Sequence, residues 1–179
     1  IREQGLRYGF EAGATSTVEI GGERVSSTRI REALENADFE AAEIMLGRPY
    51  SMSGRVIYGR QLGRSLGTPT ANIELRRLRS PLSGVYVVEV SVGGLERVPG
   101  VANVGVRPTV DDSIKANLEV HLLDREMDLY GQHIDVTFRH KLRDEMKFGS
   151  IEELKENIAR DIGDTRDWFR QTRDSAKEL

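Results

Sequence analysis

The residues with the most chemistry to offer cluster in "GRQLGRSLGTPTANI" (59–73) and, much later, in "NLEVHLLD" (117–124). Gly59, Gly63 and Gly67 recur at every fourth position with Arg64 among them, and the chain then enters Pro69-Thr70-Ala71-Asn72. Glycines so spaced let backbone N–H groups approach phosphate oxygens, and an arginine adds charge of the right sign. A Walker A loop needs four residues between its glycines and then lysine, so that pattern does not fit. The dinucleotide fingerprint G-x-G-x-x-G is absent as well. A hairpin loop without a ligand stays open on this spacing alone.

Thr70 and Asn72 alternate across Ala71, so an extended backbone turns both to one face. A hydroxyl and an amide oxygen side by side are hard, neutral ligands. They suit Mg²⁺ that takes most of its charge compensation from nucleotide phosphates. A turn in which these side chains satisfy local backbone groups is the alternative. Glu119 sits between Leu118 and Val120. If those two fill a core, its carboxylate points to whatever covers the other face. A carboxylate beside a metal-bound nucleotide could accept a hydroxyl proton, as phosphoryl transfer requires. A solvated strand glutamate is the plainer reading.

The elements that must hold these groups follow from periodicity. From Tyr50 onward it is two: "GRVIYG" is a short strand, and "GVYVVEVSVGG" sets Tyr86, Val88, Val90 and Val92 on one face. "ANLEVHLLD" sets Leu118, Val120 and Leu122 against Asn117, Glu119 and His121, and "HIDVTFRHKL" buries Ile134, Val136 and Phe138. Five or six strands joined by Gly- and Pro-bearing turns predict an antiparallel barrel. A long helix closes the chain, with Ser150 and Glu153 as a capping box and Ile151, Leu154, Ile158 and Ile162 as its buried stripe. Trp168 and Phe169 pack that helix onto the barrel. Asp111 and Asp112 read as a turn.

Upstream, "SSTRIREAL" predicts a helix capped by Ser27 or Thr28, with Ile30, Ala33, Leu34 and Ala37 as its stripe. A second helix starts at Asp38 and stops at Gly47 and Pro49. Too little chain precedes them to close a nucleotide-binding sheet. Residues 1–48 therefore read as a mostly helical remnant and 49–179 as a separate, barrel-forming domain.

Residues 1–48 hold 6 basic and 9 acidic side chains, while 49–179 hold 20 of each. That balance excludes the basic excess of a dedicated nucleic-acid binder. The local cluster Arg60, Arg64, Arg76, Arg77 and Arg79 better suits a small polyanion. No apolar run long enough to span a membrane occurs. With no cysteine, there are no disulfides and no thiolate sites, which suits the cytoplasm.

In order along the chain, "GRVIYGRQLGRSLGTPTANI", "GVANVGVRPTV", "NLEVHLLD", "DLYGQHIDVTF" and "KLRDEMKF" resemble the riboflavin kinase domain of the bacterial bifunctional riboflavin kinase/FAD synthetases. The resemblance spans roughly residues 49–170. "ERVSSTRIREAL" is similar to the closing motif of the FMN adenylyltransferase domain in that family, a nucleotidyltransferase-type α/β unit. It implies a mainly β protein, a six-stranded antiparallel barrel with a C-terminal helix. It also implies transfer of the ATP γ-phosphate to the ribityl 5′-hydroxyl of riboflavin, giving FMN and ADP. Carried over by motif, Thr70 and Asn72 hold Mg²⁺, Glu119 is the base, and the loop of Gly59, Gly63, Arg64 and Gly67 covers the phosphates. Arg143 sits in a flexible loop that closes over nucleotide or flavin.

Two departures are visible. Thr68 stands where the family often has an apolar residue. The paired histidines of the adenylyltransferase are missing, since His121, His133 and His140 all lie downstream. Ser27, Thr28 and Arg31 could present a helix N-terminus to phosphate, but without their sheet they read as a cap. The chain is thus expected to make FMN and not FAD. The competing class is a non-catalytic β-barrel that binds flavin or single-stranded nucleic acid.

Overall fold

The computed structural model describes every residue except 1, 12, 14, 15, 60–62, 64, 65, 76–79, 109–113, 126 and 176–179. Arg60, Arg64, Arg76, Arg77, Arg79, Asp111 and Asp112 therefore lie outside the described residues. Six strands close into a barrel: β3 (Ser51–Ile57), β4 (Ala71–Glu74), β5 (Gly84–Val92), β6 (Leu95–Pro108), β7 (Ile114–Leu122) and β8 (His133–Arg143). Their order around the barrel is β3-β4-β7-β6-β5-β8, and every pairing is antiparallel.

Alternation decides what fills it. Met52, Val56, Ile73, Val88, Val90, Leu118, Val120, Ile134, Val136 and Phe138 are buried in one core. Tyr86 is buried among them, its hydroxyl donating to the Ser83 carbonyl (2.7 Å) and accepting from the Ser83 N–H (3.1 Å). β5 departs from simple alternation, because Val85 and Val87 on its outer face are buried too. The cause is the long terminal helix α4 (Ile151–Ser175), which packs across β5, β6 and β8.

Upstream lie α1 (Arg2–Tyr8), the two-residue strands β1 (Glu19–Ile20) and β2 (Glu23–Arg24), α2 (Ser27–Glu35) and α3 (Phe39–Leu46). The cap of α2 is Ser26, not Ser27 or Thr28. Ser26 has extended backbone (φ −143°, ψ 156°) and its Oγ accepts from the Arg29 N–H, whereas Ser27 is already helical. Ala37 falls beyond that helix with φ 57°, so the stripe ends at Leu34. Asp38 caps α3 through the Ala41 N–H (2.9 Å), and Gly47 ends it in the left-handed region (φ 71°). Leu34 and Ala42 join the barrel core, and the Phe39 ring packs between Tyr86 and Phe138 at 5.9 and 6.3 Å.

The capping box of α4 forms: Ser150 Oγ accepts from the Glu153 N–H (3.1 Å), and Glu153 accepts from the Gly149 N–H (2.8 Å). Its stripe is a correction to the sequence reading. Ile151 is 58% exposed, and Leu154, Ile158 and Ile162 are only half-buried. The helix residues that are buried are Asn157, Asp161 and Thr165. Each has an internal partner: Asn157 Nδ2 donates to the Glu153 carbonyl, Thr165 Oγ1 donates to that of Asp161, and Asp161 accepts from Arg143. The apolar stripe faces an open cavity instead of a closed core. Trp168 stacks on His140 of β8 at 6.4 Å, so the helix end is packed onto the barrel. Among the described residues no helix is long and apolar enough to cross a membrane.

Candidate active site

Strand register assembles the site. Residues paired across a sheet share a face, and one row runs over the outside of the barrel: Asn72 opposite Glu119, Glu119 opposite Asn103, Asn103 opposite Val85, Val85 opposite Arg143. Side chains from five strands thus share one outer face, which α4 covers over β5, β6 and β8. Between this face and α4 lies a cavity of about 240 Å³. Val85, Phe148, Leu154, Ile158 and Ile162 line it with apolar surface, while Thr70, Asn103, Glu119, His121, Arg143 and Glu145 supply polar groups. A second cavity of about 490 Å³ opens beside it, bordered by Gly67, Pro69, Arg125, Asp128 and Tyr130. Thr70 lines both.

Glu119 is half-buried, and Asn117 Nδ2 donates to its Oε1 (2.9 Å), which orients the carboxylate. His121, next but one on the same face, shares a hydrogen bond between Nδ1 and the Pro69 carbonyl (2.9 Å). That bond ties the start of the Pro-Thr-Ala-Asn segment to β7. His121 also lines the smaller cavity.

Asn72 is 6% exposed, and its Oδ1 is buried with no hydrogen-bond partner. A buried amide oxygen without a donor is unfavourable unless something electropositive reaches it. Among the described residues no three His, Asp or Glu side chains converge as a metal cage. A cation here would therefore depend on neutral oxygens and on phosphates it brings with it, the pattern of nucleotide-bound Mg²⁺. The donor set of Thr70 and Asn72 fits that ion.

Arg143 corrects the expectation of a flexible loop. It is the last residue of β8, and its guanidinium makes a paired contact with Asp161 of α4, Nε to Oδ1 at 2.9 Å and the second nitrogen to Oδ2 at 2.8 Å. Strand pairing with Val85 keeps its backbone in the sheet. The loop begins one residue later, at Asp144. There Lys141 and Asp144 form an ion pair (2.6 Å), whose hydrogen bond holds Lys141 above its ordinary pKa and Asp144 below. Burial pushes the Tyr86 phenol up.

The three loop glycines meet different surroundings. Gly67 lines the larger cavity with φ +79°, Gly63 borders the smaller one, and Gly59 lies against the Asn72 amide. Thr68 helps close the loop, its N–H donating to the Gly63 carbonyl (2.8 Å). Ser27, Thr28 and Arg31 are exposed on the first turns of α2, and none borders either cavity. Asn103, Arg125, Glu145 and Asp161 were not singled out from sequence. Asn103 lay inside the quoted "GVANVGVRPTV", but Asp161 had no local signal, because its partner is on another element.

The family of flavokinases (riboflavin kinase) matches residues 46–169. The bifunctional riboflavin kinase/FMN adenylyltransferase of Escherichia coli strain K12 is 50% identical over 97% of this chain and 55% of its own length. That of Pseudomonas fluorescens is 52% identical over 93% of this chain and 53% of its own. The chain spans about half the length of the curated relatives it matches. A solved structure from Streptococcus pneumoniae, described as a macrolide-efflux protein, has a TM-score of 0.74 at 35% identity, over 85% of this chain and 50% of that one. The family match covers the whole barrel, both cavities' polar groups and most of α4, and on that ground the chain belongs to the riboflavin kinase family.

Proposed function

We propose that this chain transfers the γ-phosphate of ATP to the ribityl 5′-hydroxyl of riboflavin, yielding FMN and ADP. The observation that carries the reading is that Glu119 stands in a cavity walled by an apolar helix face, beside Thr70, which the neighbouring cavity shares. The apolar wall of Leu154, Ile158 and Ile162 suits the flat, weakly polar isoalloxazine ring. The wider cavity, with Gly67 and Arg125, suits a nucleotide. Thr70 then lies where the two substrates meet.

Glu119, oriented by Asn117, accepts the proton of the attacking hydroxyl. Thr70 and Asn72 are the residues that would hold Mg²⁺ with the phosphates. When bound, the ion neutralises charge that develops on the transferred group. α4 walls one side of the smaller cavity, and Arg143, fixed by Asp161, lies on its wall. Loop glycines Gly59, Gly63 and Gly67 are the described residues that would pass over the phosphates.

We further propose that residues 1–48 correspond to the end of an FMN adenylyltransferase unit, the second activity in the relatives' names. Ser27, Thr28 and Arg31 are its closing motif. This chain as given carries no paired-histidine motif, so FMN is its end product. The test is to incubate it with riboflavin, ATP and Mg²⁺ and to separate the flavins by chromatography. FMN without FAD is the expected result. Unchanged riboflavin with a folded protein overturns the kinase reading, and FAD overturns the reading of residues 1–48.

A further inference from the structure

The loop glycines fit neither the Walker A nor the dinucleotide pattern, and the structure offers Gly59 another reason to be glycine. Its backbone is not among those with positive φ, so conformational freedom does not explain it. Gly67 is the contrast, with φ +79° and nothing within 4 Å of where a Cβ would stand. At Gly59 a Cβ would stand 2.6 Å from Asn72 Oδ1 and closer still to Nδ2 and Cγ. All three nearest atoms belong to one carboxamide. Gly63 does something similar for Thr70, with Oγ1 at 3.2 Å and Cγ2 at 3.3 Å, but there the Thr68 carbonyl is nearer still, so a side chain would strike backbone first.

We infer that Gly59 is a positioning residue whose absent side chain seats the Asn72 carboxamide and so sets where its unpartnered oxygen points; this rests on Asn72 serving as a metal ligand. The rotation of a terminal amide is only broadly restrained by its own torsion. Because no hydrogen bond holds Asn72 Oδ1, packing must orient it. The chain leaving β3 passes over the outer face of β4 and supplies that packing with a bare Cα. Outer-shell contacts of this kind orient ligands and affect affinity without touching the ion.

The test compares Gly59→Ala, Asn72→Ala, the double variant and Gly163→Ala, a helix glycine with nothing within 4 Å. Two quantities are read: Mn²⁺ affinity by electron paramagnetic resonance with a non-hydrolysable ATP analogue present, and the midpoint of thermal unfolding. Gly59→Ala is expected to weaken Mn²⁺ binding about tenfold or more, with Gly163→Ala unchanged. The double variant should bind Mn²⁺ no more weakly than Asn72→Ala, because a shortened residue 72 leaves room for the new methyl. Its unfolding midpoint should likewise fall no further than that of Asn72→Ala.

If Asn72→Ala weakens Mn²⁺ binding while Gly59→Ala does not, or if the two losses add, the inference is overturned and the metal reading survives. If Asn72→Ala binds Mn²⁺ like the parent, the metal reading fails and the inference with it, whatever the unfolding midpoints show. Should Gly59→Ala alone fail to fold, recovery of folding in the double variant supports the inference. A double variant that also fails to fold overturns it, because the methyl then strikes something other than the amide.

Discussion

Replacing Asp161 by alanine removes the carboxylate that ties α4 to the end of β8. The Asp161 side chain is 8% exposed and that of Arg143 21%, and two N–H···O contacts of 2.9 and 2.8 Å join them. Breaking a fully buried pair by deleting one partner costs about 3–5 kcal/mol, mostly because the other charge is stranded. Arg143 is not wholly stranded: it also donates to the Asp144 carbonyl (3.0 Å), faces the Phe148 ring at 5.7 Å, and can turn toward solvent. The cost should therefore fall to about 2 kcal/mol. For a chain of this size that lowers the thermal midpoint by roughly 4–8 °C. The chain's one tryptophan, Trp168, lies on α4, so its fluorescence during urea unfolding reports on the helix concerned. Replacing both partners by apolar residues, Arg143→Met with Asp161→Leu, should recover much of the loss, since neither charge is then left alone. A single variant as stable as the parent, or a double variant as unstable as the single, refutes the reasoning. Under the proposed function the single variant should also raise the riboflavin KM more than it lowers kcat, because α4 is the wall of the flavin cavity.

Glu119→Gln keeps an oxygen for the Asn117 amide but cannot take a proton, so kcat should fall about 10²- to 10⁴-fold with riboflavin and nucleotide affinity retained; steady-state kinetics with unaltered kcat would remove Glu119 from the mechanism. His121→Ala loses the bond to the Pro69 carbonyl and frees the segment that carries Thr70. More Mg²⁺ should then be needed for half-maximal turnover, and an unchanged Mg²⁺ titration counts against that link. Tyr86 is held protonated by burial, so its folded pKa lies above the unfolded value of about 10. Its contribution to stability is complete below about pH 10 and is lost as pH rises through the folded pKa. Tyr86→Phe should flatten the alkaline limb of a stability-against-pH curve, and a limb identical to the parent's would assign that loss to other groups.

Much of the barrel was legible because a strand exposes its pattern locally. Leu118, Val120 and Leu122, or Ile134, Val136 and Phe138, alternate whatever they pair with, and period two follows from the pleat itself. The caps at Asp38 and Ser150 were legible for the same reason: their partners lie three residues away. The cap at α2 slipped by one because three hydroxyl residues in a row, Ser26, Ser27 and Thr28, can each do the job, and only the backbone angles choose.

What the chain order could not reveal is what register and layering decide. Thr70, Asn72 and Glu119 could be nominated from their types, but their meeting on one face depends on β4 pairing with β7 rather than with β5, the strand that follows it in sequence. Arg143 finds Asp161, and Gly59 finds the Asn72 amide, only after the barrel has closed. The stripe on α4 is the clearest case. Apolar spacing predicts that a helix face leaves water, but whether it meets a filled core or an empty cleft is set by what stands opposite. On this barrel the face opposite carries the polar side chains of Glu119, Asn103 and Thr70, and a cavity remains between them and the helix. Local periodicity thus determined the elements and nominated the reactive groups, while the cleft between them exists only in three dimensions, because it is a property of two surfaces and not of either chain segment.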